Sequence, residues 1–361
     1  MTDADVTTRT DVLADAAERL QTWTYLDEPG FAFHGAMGAE TLSTMGHDDL
    51  VPGWVDAYKT QHRPLPAPPP GIAIDGDDQS SWQVALGDYG RVSDWTTLFR
   101  AALAENPWEA VVRRWTPVLV PGYGGALTHG LIRTAHAVRA MPADGVPPDP
   151  LLEELARGLA FWAATYTPLP GTPKLRGRRR LTEALAALPQ PVPPWTMLEA
   201  GSLSRIGELD GFPHAVEALG PPDAGDPLSE LSAAFCGIVL ARPDAVAIPL
   251  VHTVTPIAAM RTLQARVPDV SVDTAYTYLW HVGAAVVAAL GSLPVVDGGS
   301  LDDVEPSVPT PDDVASRALE CSDPHALKFT EACLREHAVH ADPVYLLAAA
   351  HVTRQLPSWT P

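Results

Sequence analysis

The sequence predicts a mainly α fold, a single large helical domain over residues 1–361 with proline-rich connecting loops and a flexible segment at 1–10. Apolar residues recur at helical spacing along most of the chain. No series of alternating strands joined by hairpin turns is present. The stretches between helical segments collect many of the 37 prolines. With 46% apolar residues over 361 positions, the chain buries a sizeable core and is not intrinsically disordered.

Taken in order, residues 11–20 open with Asp11 as a cap and place Val12, Ala16 and Leu20 on one stripe. Residues 129–136 read as a helix, and residues 151–166 as another, with Leu152, Leu155, Leu159 and Trp162 on a common face. Residues 227–240, 251–267, 274–290, 312–319, 324–337 and 343–355 follow at the same period. The short apolar run 246–251 is a weak strand candidate because it contains Pro249. Residues 64–71, 142–150, 189–194 and 306–311 are loops or rigid spacers.

There are 24 basic and 44 acidic side chains, a net charge of −20, which argues against nucleic acid or an anionic membrane as the main partner. The run Lys174-Leu175-Arg176-Gly177-Arg178-Arg179-Arg180 is the local exception, either a phosphate contact or a solvated basic loop. Three cysteines cannot form a disulfide framework for a chain this size. The polar start Met1-Thr2-Asp3-Ala4-Asp5 has no signal-peptide character. The most apolar stretch, 279–296, is interrupted by His281, Gly283, Gly291 and Pro294, which suits a buried helix better than a membrane span. A cytoplasmic protein is expected. Gly35-Ala36-Met37-Gly38 and Gly122-Tyr123-Gly124-Gly125 are not set between a strand and a helix, so no dinucleotide loop is assigned. P-loop, Gly-x-Ser-x-Gly, Cys-x-x-Cys and His-Glu-x-x-His motifs are absent.

Twelve histidines are the conspicuous chemical resource. His129, Arg133 and His136 share one face of an otherwise apolar helix. His252 follows an apolar run near a helix start, with Thr253 or Thr255 as a cap; His281 follows Trp280 among Ala and Val; His34 lies between aromatic and small residues. Each alone is either a hydrogen-bonded core histidine or a metal ligand. In Asp323-Pro324-His325-Ala326-Leu327-Lys328, a cap and first-turn proline set His325 and Lys328 on one helix face. A lysine there is ordinarily a snorkelling surface residue. Buried, it would lose its charge more easily and expose a neutral amine. Such an amine adds carbon dioxide to give a carbamate, an anionic oxygen donor that suits iron beside neutral imidazoles.

At these residues the chain resembles the questin oxidase-like family of fungal and bacterial oxygenases. Five stretches carry the resemblance in family order: residues 33–40 (Phe-His-Gly-Ala-Met-Gly-Ala-Glu), 128–136, 155–163, 251–255 and 323–328. The resemblance implies a largely helical enzyme with mononuclear non-haem iron, Fe(II), and a CO2-derived carbamate on Lys328. It implies His34, His129, His252 and His325 as imidazole ligands, with His136 and His281 held for substrate contact, proton transfer or ligation. The implied activity, part of secondary metabolism, uses O2 on a small aromatic quinone or phenol. Oxidative C–C cleavage and Baeyer–Villiger-type oxygen insertion are the two reaction types described in the family. The chain is shorter than typical fungal members, so substrate and reaction type can differ. Arg133 is a candidate partner for a phenolate or carboxylate. Trp162, Trp280 and Phe33 are either stacking platforms or core. NADPH enters as a diffusible reductant with no assigned site. Two rivals stand beside this expectation: a metal-free helical binding protein on the same scaffold, and a carbamylated-lysine hydrolase with two zinc ions, which the lack of a His-x-His pair disfavours.

Overall fold

Short polar residues start several of the helices. Thr8, Asp226, Ser271, Thr310, Asp323 and Asp342 each accept a hydrogen bond from a first-turn backbone N–H, satisfying a donor that the helix leaves unpaired. Thr8 rather than Asp11 caps the first helix: Asp11 is the third-position partner of a capping box, and its carboxylate accepts from the Thr8 N–H. The computed structural model describes residues 8–191, 202–223, 225–243, 245, 247–289 and 307–357. Of the segment 1–10 expected to be flexible, residues 8–10 form the cap and first residues of the opening helix, while 1–7, parts of the two proline loops at 189–194 and 306–311, and the apolar tail at 290–296 lie outside the described residues.

Among the described residues the fold is mainly α, with one two-stranded hairpin. The elements are α1 (Arg9–Arg19), β1 (Leu26–Asp27), β2 (Phe31–Ala32), α2 (Gly35–Thr44), α3 (Val51–Gln61), α4 (Gln79–Gln83), α5 (Val92–Glu105), α6 (Trp108–Leu119), α7 (His129–Ala140) and α8 (Asp149–Ala164). They continue with α9 (Leu181–Ala186), α10 (Phe212–Glu217), α11 (Pro227–Ala241), α12 (Ala247–Arg266), α13 (Val272–Ala288), α14 (Pro311–Glu320), α15 (Pro324–Val339) and α16 (Pro343–Gln355). The weak strand candidate is instead the start of α12, which begins four residues earlier than its period indicates. The sequence reading leaves α2 to α6 unassigned.

The packing divides into two compact units. The first is Met1–Leu119, His129–Tyr166 and Thr262–Val267; its central helix is α8, which lies against α1, α5 and α7. Every residue of α8 from Leu155 to Ala164 is buried, as befits a helix covered on all sides. Glycine sets the α7–α8 approach: a Cβ on Gly130 would stand 2.5 Å from Trp162 Cα, and one on Gly158 would stand 3.1 Å from Thr134 Cα. Trp95 and Phe99 stack on each other and each packs edge to face on Trp115, at 5.5 and 5.3 Å. The second unit, Val120–Thr128, Thr167–Arg261 and Pro268–Pro361, is built around α11, α13, α15 and α16, with α14 on α15. Arg261 ties it together, reaching Glu336 at 2.6 Å and Asp226 at 2.7 Å. No helix among the described residues is long and apolar enough to cross a membrane.

Candidate metal centre

Two pairs of buried histidines emerge, one in each unit. In the first unit His34 is the residue before α2, and its backbone N–H donates to Tyr58 Oη at 2.9 Å. The Tyr58 hydroxyl donates in turn to Asp27 Oδ2. His34 Nε2 lies 2.9 Å from His129 Nε2, with the rings edge to face and centroids 4.8 Å apart. Burial pushes the Asp27 carboxyl up, and its Oδ1 has no hydrogen-bond partner among the described residues.

His129 is the first residue of α7 and follows an unusual turn. Ala126, Leu127 and Thr128 all take left-handed backbone conformations, with φ of 46°, 50° and 68°. None is glycine, so each residue carries the steric strain that L side chains meet in that region. Thr128 is fully buried, and its Oγ1 has no partner among the described residues. Consecutive strained residues persist where the surrounding structure imposes them, and they gather at functional sites.

In the second unit His252 sits in the second turn of α12, and its Nδ1–H donates to the Ile248 carbonyl at 2.7 Å. Neither Thr253 nor Thr255 caps the helix, since both hydroxyls donate to carbonyls one turn back at 2.7 and 3.0 Å. His325 lies in the first turn of α15, where the Asp323 carboxylate accepts from its backbone N–H at 2.8 Å and from Nδ1–H at 2.7 Å. A ring that donates through Nδ1 carries its lone pair on Nε2, so both imidazoles are held in the tautomer that ligates through Nε2. The two rings are 5.2 Å apart at 71°.

Lys328 follows His325 by one turn and is only 2% exposed. Among the described residues no carboxylate pairs with its ammonium and no hydrogen bond reaches it. Burial therefore pushes its pKa down to about 7, against a smaller upward pull from Asp323. Burial lowers His325 as well, with Asp323 opposing. At Asp323 burial pushes the carboxyl up, but the hydrogen bonds and charge of His325, with the charge of Lys328, together outweigh it and hold the carboxyl below its usual range.

The three other candidates are engaged elsewhere. Arg133 gives both arms of its guanidinium to Glu154 at 2.7 and 2.8 Å, donates to the Thr24 carbonyl and stacks over Phe33 at 5.0 Å. A substrate anion would have to displace Glu154 to use it. His136 bonds Glu40 at 2.6 Å; burial raises that carboxyl, but Arg139 and His136 together outweigh it and hold it well below the usual range. His281 donates from Nε2 to the Pro170 carbonyl at 2.8 Å and stacks on Phe212. Phe33, Trp162 and Trp280 are all buried, and the Trp280 indole N–H is bonded to the Val216 carbonyl at 3.0 Å.

Asp27 and Tyr58, which steady His34, escape sequence reasoning because nothing in their spacing links them to it. Asp323 is legible as a cap but not as the group that orients His325. No family model matches the chain, and no curated protein matches it.

Proposed function

We propose that this protein is a non-haem iron oxygenase of the questin oxidase-like type. It acts on an aromatic, polyketide-like quinone or phenol by oxidative C–C cleavage or Baeyer–Villiger-type oxygen insertion. The ligand set is His34, His129, His252, His325 and Lys328 carboxylated on Nζ. The observation that carries this proposal is Lys328: a buried amine with no carboxylate partner among the described residues, one turn from an imidazole held by Asp323. A lysine kept only to pack a core is poorly suited to such a place, because its charge is buried and, among the described residues, has only the attraction of Asp323 without a direct ion pair.

The donor chemistry fits a metal. His34, His129 and His325 each offer a buried ring nitrogen to an ion. The 2.9 Å between His34 Nε2 and His129 Nε2 matches two nitrogens binding one ion side by side at about 2.1 Å each. Asp323 on His325 and the Ile248 carbonyl on His252 are the outer hydrogen bonds that ligating histidines carry. Imidazoles with one anionic oxygen donor suit ferrous iron.

When bound, Fe(II) would supply dioxygen activation and Lewis acidity. The chain's residues do the rest. The neutral Lys328 amine adds to CO2 and releases one proton, leaving an N-carboxylate. Asp323 and Ile248 hold two rings in the ligating tautomer, while the Tyr58 hydroxyl fixes the backbone at His34. The buried helical surroundings exclude water. NADPH is the diffusible reductant of this reading, and three buried cysteines outside any disulfide suit a reducing compartment.

Elemental analysis of anaerobically purified protein tests the proposal. One equivalent of iron is expected, with iron and oxygen consumption lost together in Lys328→Ala. Full iron occupancy in Lys328→Ala, no stoichiometric metal in the native protein, or two equivalents of zinc would each overturn it.

A further inference from the structure

The basic loop at Lys174–Arg180 has no place in the iron chemistry, and the structure does not leave it as a loose solvated strand. Gly177 N–H and Arg179 N–H donate to the Leu219 and Ala218 carbonyls at 3.0 and 3.1 Å, and Gly220 N–H donates to the Arg179 carbonyl at 2.9 Å. The approach requires glycine, because a Cβ on Gly177 would fall 1.9 Å from the Ala218 oxygen. Thr172 adds a further tie, its N–H donating to Glu217 at 3.1 Å. Leu175 is held in the left-handed region at φ 51°.

On this fixed backbone Arg180 pairs with Asp223. Lys174, Arg176, Arg178 and Arg179 make no ion pair or side-chain hydrogen bond among the described residues. Among the described residues four neighbouring cations thus have no acidic partner, and the backbone that carries them is pinned. Beside them is a cleft of about 330 Å³, bounded by Lys174 and Leu175 on one side and by Asp273, Thr274, Thr277 and Tyr278 on α13 on the other. That volume is in the range of small-molecule sites and well beyond what one inorganic anion fills.

We infer that the Lys174–Arg180 loop and this cleft form a binding site for a small organic phosphate. Lys174, the loop cation that lines the cleft, takes the phosphate, the arginines of the same loop add to the positive field around it, and the α13 hydroxyls meet the remainder of the molecule. Charge selects the size of the ligand. A net charge of −20 repels an extended polyanion, whereas a single phosphate within about 8 Å feels chiefly the local cations. Asp273, the one carboxylate lining the cleft, disfavours a second anionic group there. The inference stands independently of the iron proposal.

Calorimetric titration of the full-length protein with phenyl phosphate tests it, with inorganic phosphate and single-stranded DNA in parallel. Saturable one-to-one binding is expected, tighter for phenyl phosphate than for inorganic phosphate and weakened between about 50 and 200 mM salt. Arg178→Gln with Arg179→Gln should weaken binding about tenfold or more, and Asp273→Asn should strengthen it. Because these arginines are exposed and have no side-chain partner among the described residues, the double variant should fold; should it not, Lys174→Gln with Arg176→Gln makes the same measurement. No saturable binding, equal affinity for inorganic phosphate, unchanged affinity in the charge-neutralised variants, or tighter binding to DNA would each overturn the inference.

Discussion

Lys328 sets a conflict between stability and chemistry that can be measured in protein freed of metal and CO2. Its folded pKa of about 7 lies well below the usual lysine value, so above pH 7 the unfolded chain binds the extra proton. The destabilisation is therefore full below about pH 7 and fades as pH rises toward about 10.4, the unfolded value. Lys328→Met should raise the thermal midpoint by the equivalent of a few kcal/mol at pH 6, with the gain shrinking steadily by pH 9. A gain independent of pH would mean that the amine is already neutral or solvated. Asp323 permits a separate test, because asparagine also caps helices and retains an acceptor oxygen. Asp323→Asn should therefore leave α15 intact yet weaken metal binding about tenfold, measured by competition with a chelator, through loss of the charge behind His325. The thiols form a third case. Cys236, Cys321 and Cys333 are free and buried, and burial pushes Cys321 up to about 11. A thiol reagent should label none of them rapidly in the native protein and all three after unfolding.

At the scale of elements, legibility followed the strength of the pattern. Residues 343–355 carry Pro343 in the first turn and an Asp342 cap, and the helix has those bounds. Residues 227–240 and 324–337 are similarly marked and extend by only one or two residues. α2 was illegible for a physical reason: its Gly-Ala-Met-Gly start has poor helix propensity and is stabilised by burial, with Gly38 making room for Trp54. α6 is different, since Trp108, Val111, Val112, Trp115 and Leu119 present a regular apolar stripe that could have been read. The α7–α8 crossing shows what pattern alone misses, namely which glycine bears the contact. Gly130→Ala would place a methyl 2.5 Å from the Trp162 backbone, so the helices must separate. A loss of about 1–3 kcal/mol is expected, read as a lower thermal midpoint, together with weaker metal binding because His129 is the adjacent residue. An unchanged midpoint would show that α7 shifts without resistance.

For the molecule as a whole, candidate residues could be named one by one, but not how packing would group them. The five proposed ligands stand at 34, 129, 252, 325 and 328, and only the last two are related by spacing. The histidine pairs, the Asp27–Tyr58 support and the left-handed turn before His129 are products of tertiary packing, with no local signature. If all five serve one ion, ferrous iron binds the native state and not the unfolded chain, and stability must rise with free metal as RT ln(1 + [L]/Kd). Anaerobic Fe(II) should then raise the thermal midpoint progressively with concentration, by about 2.7 kcal/mol in stability at a hundred times Kd. His34→Ala and Lys328→Ala remove different donors from the same ion, so either should reduce the shift, and the double variant should lose little more than the more damaging single change. Independent, additive losses would instead mean two separate binding events, and a shift untouched by both substitutions would place the metal elsewhere in the chain.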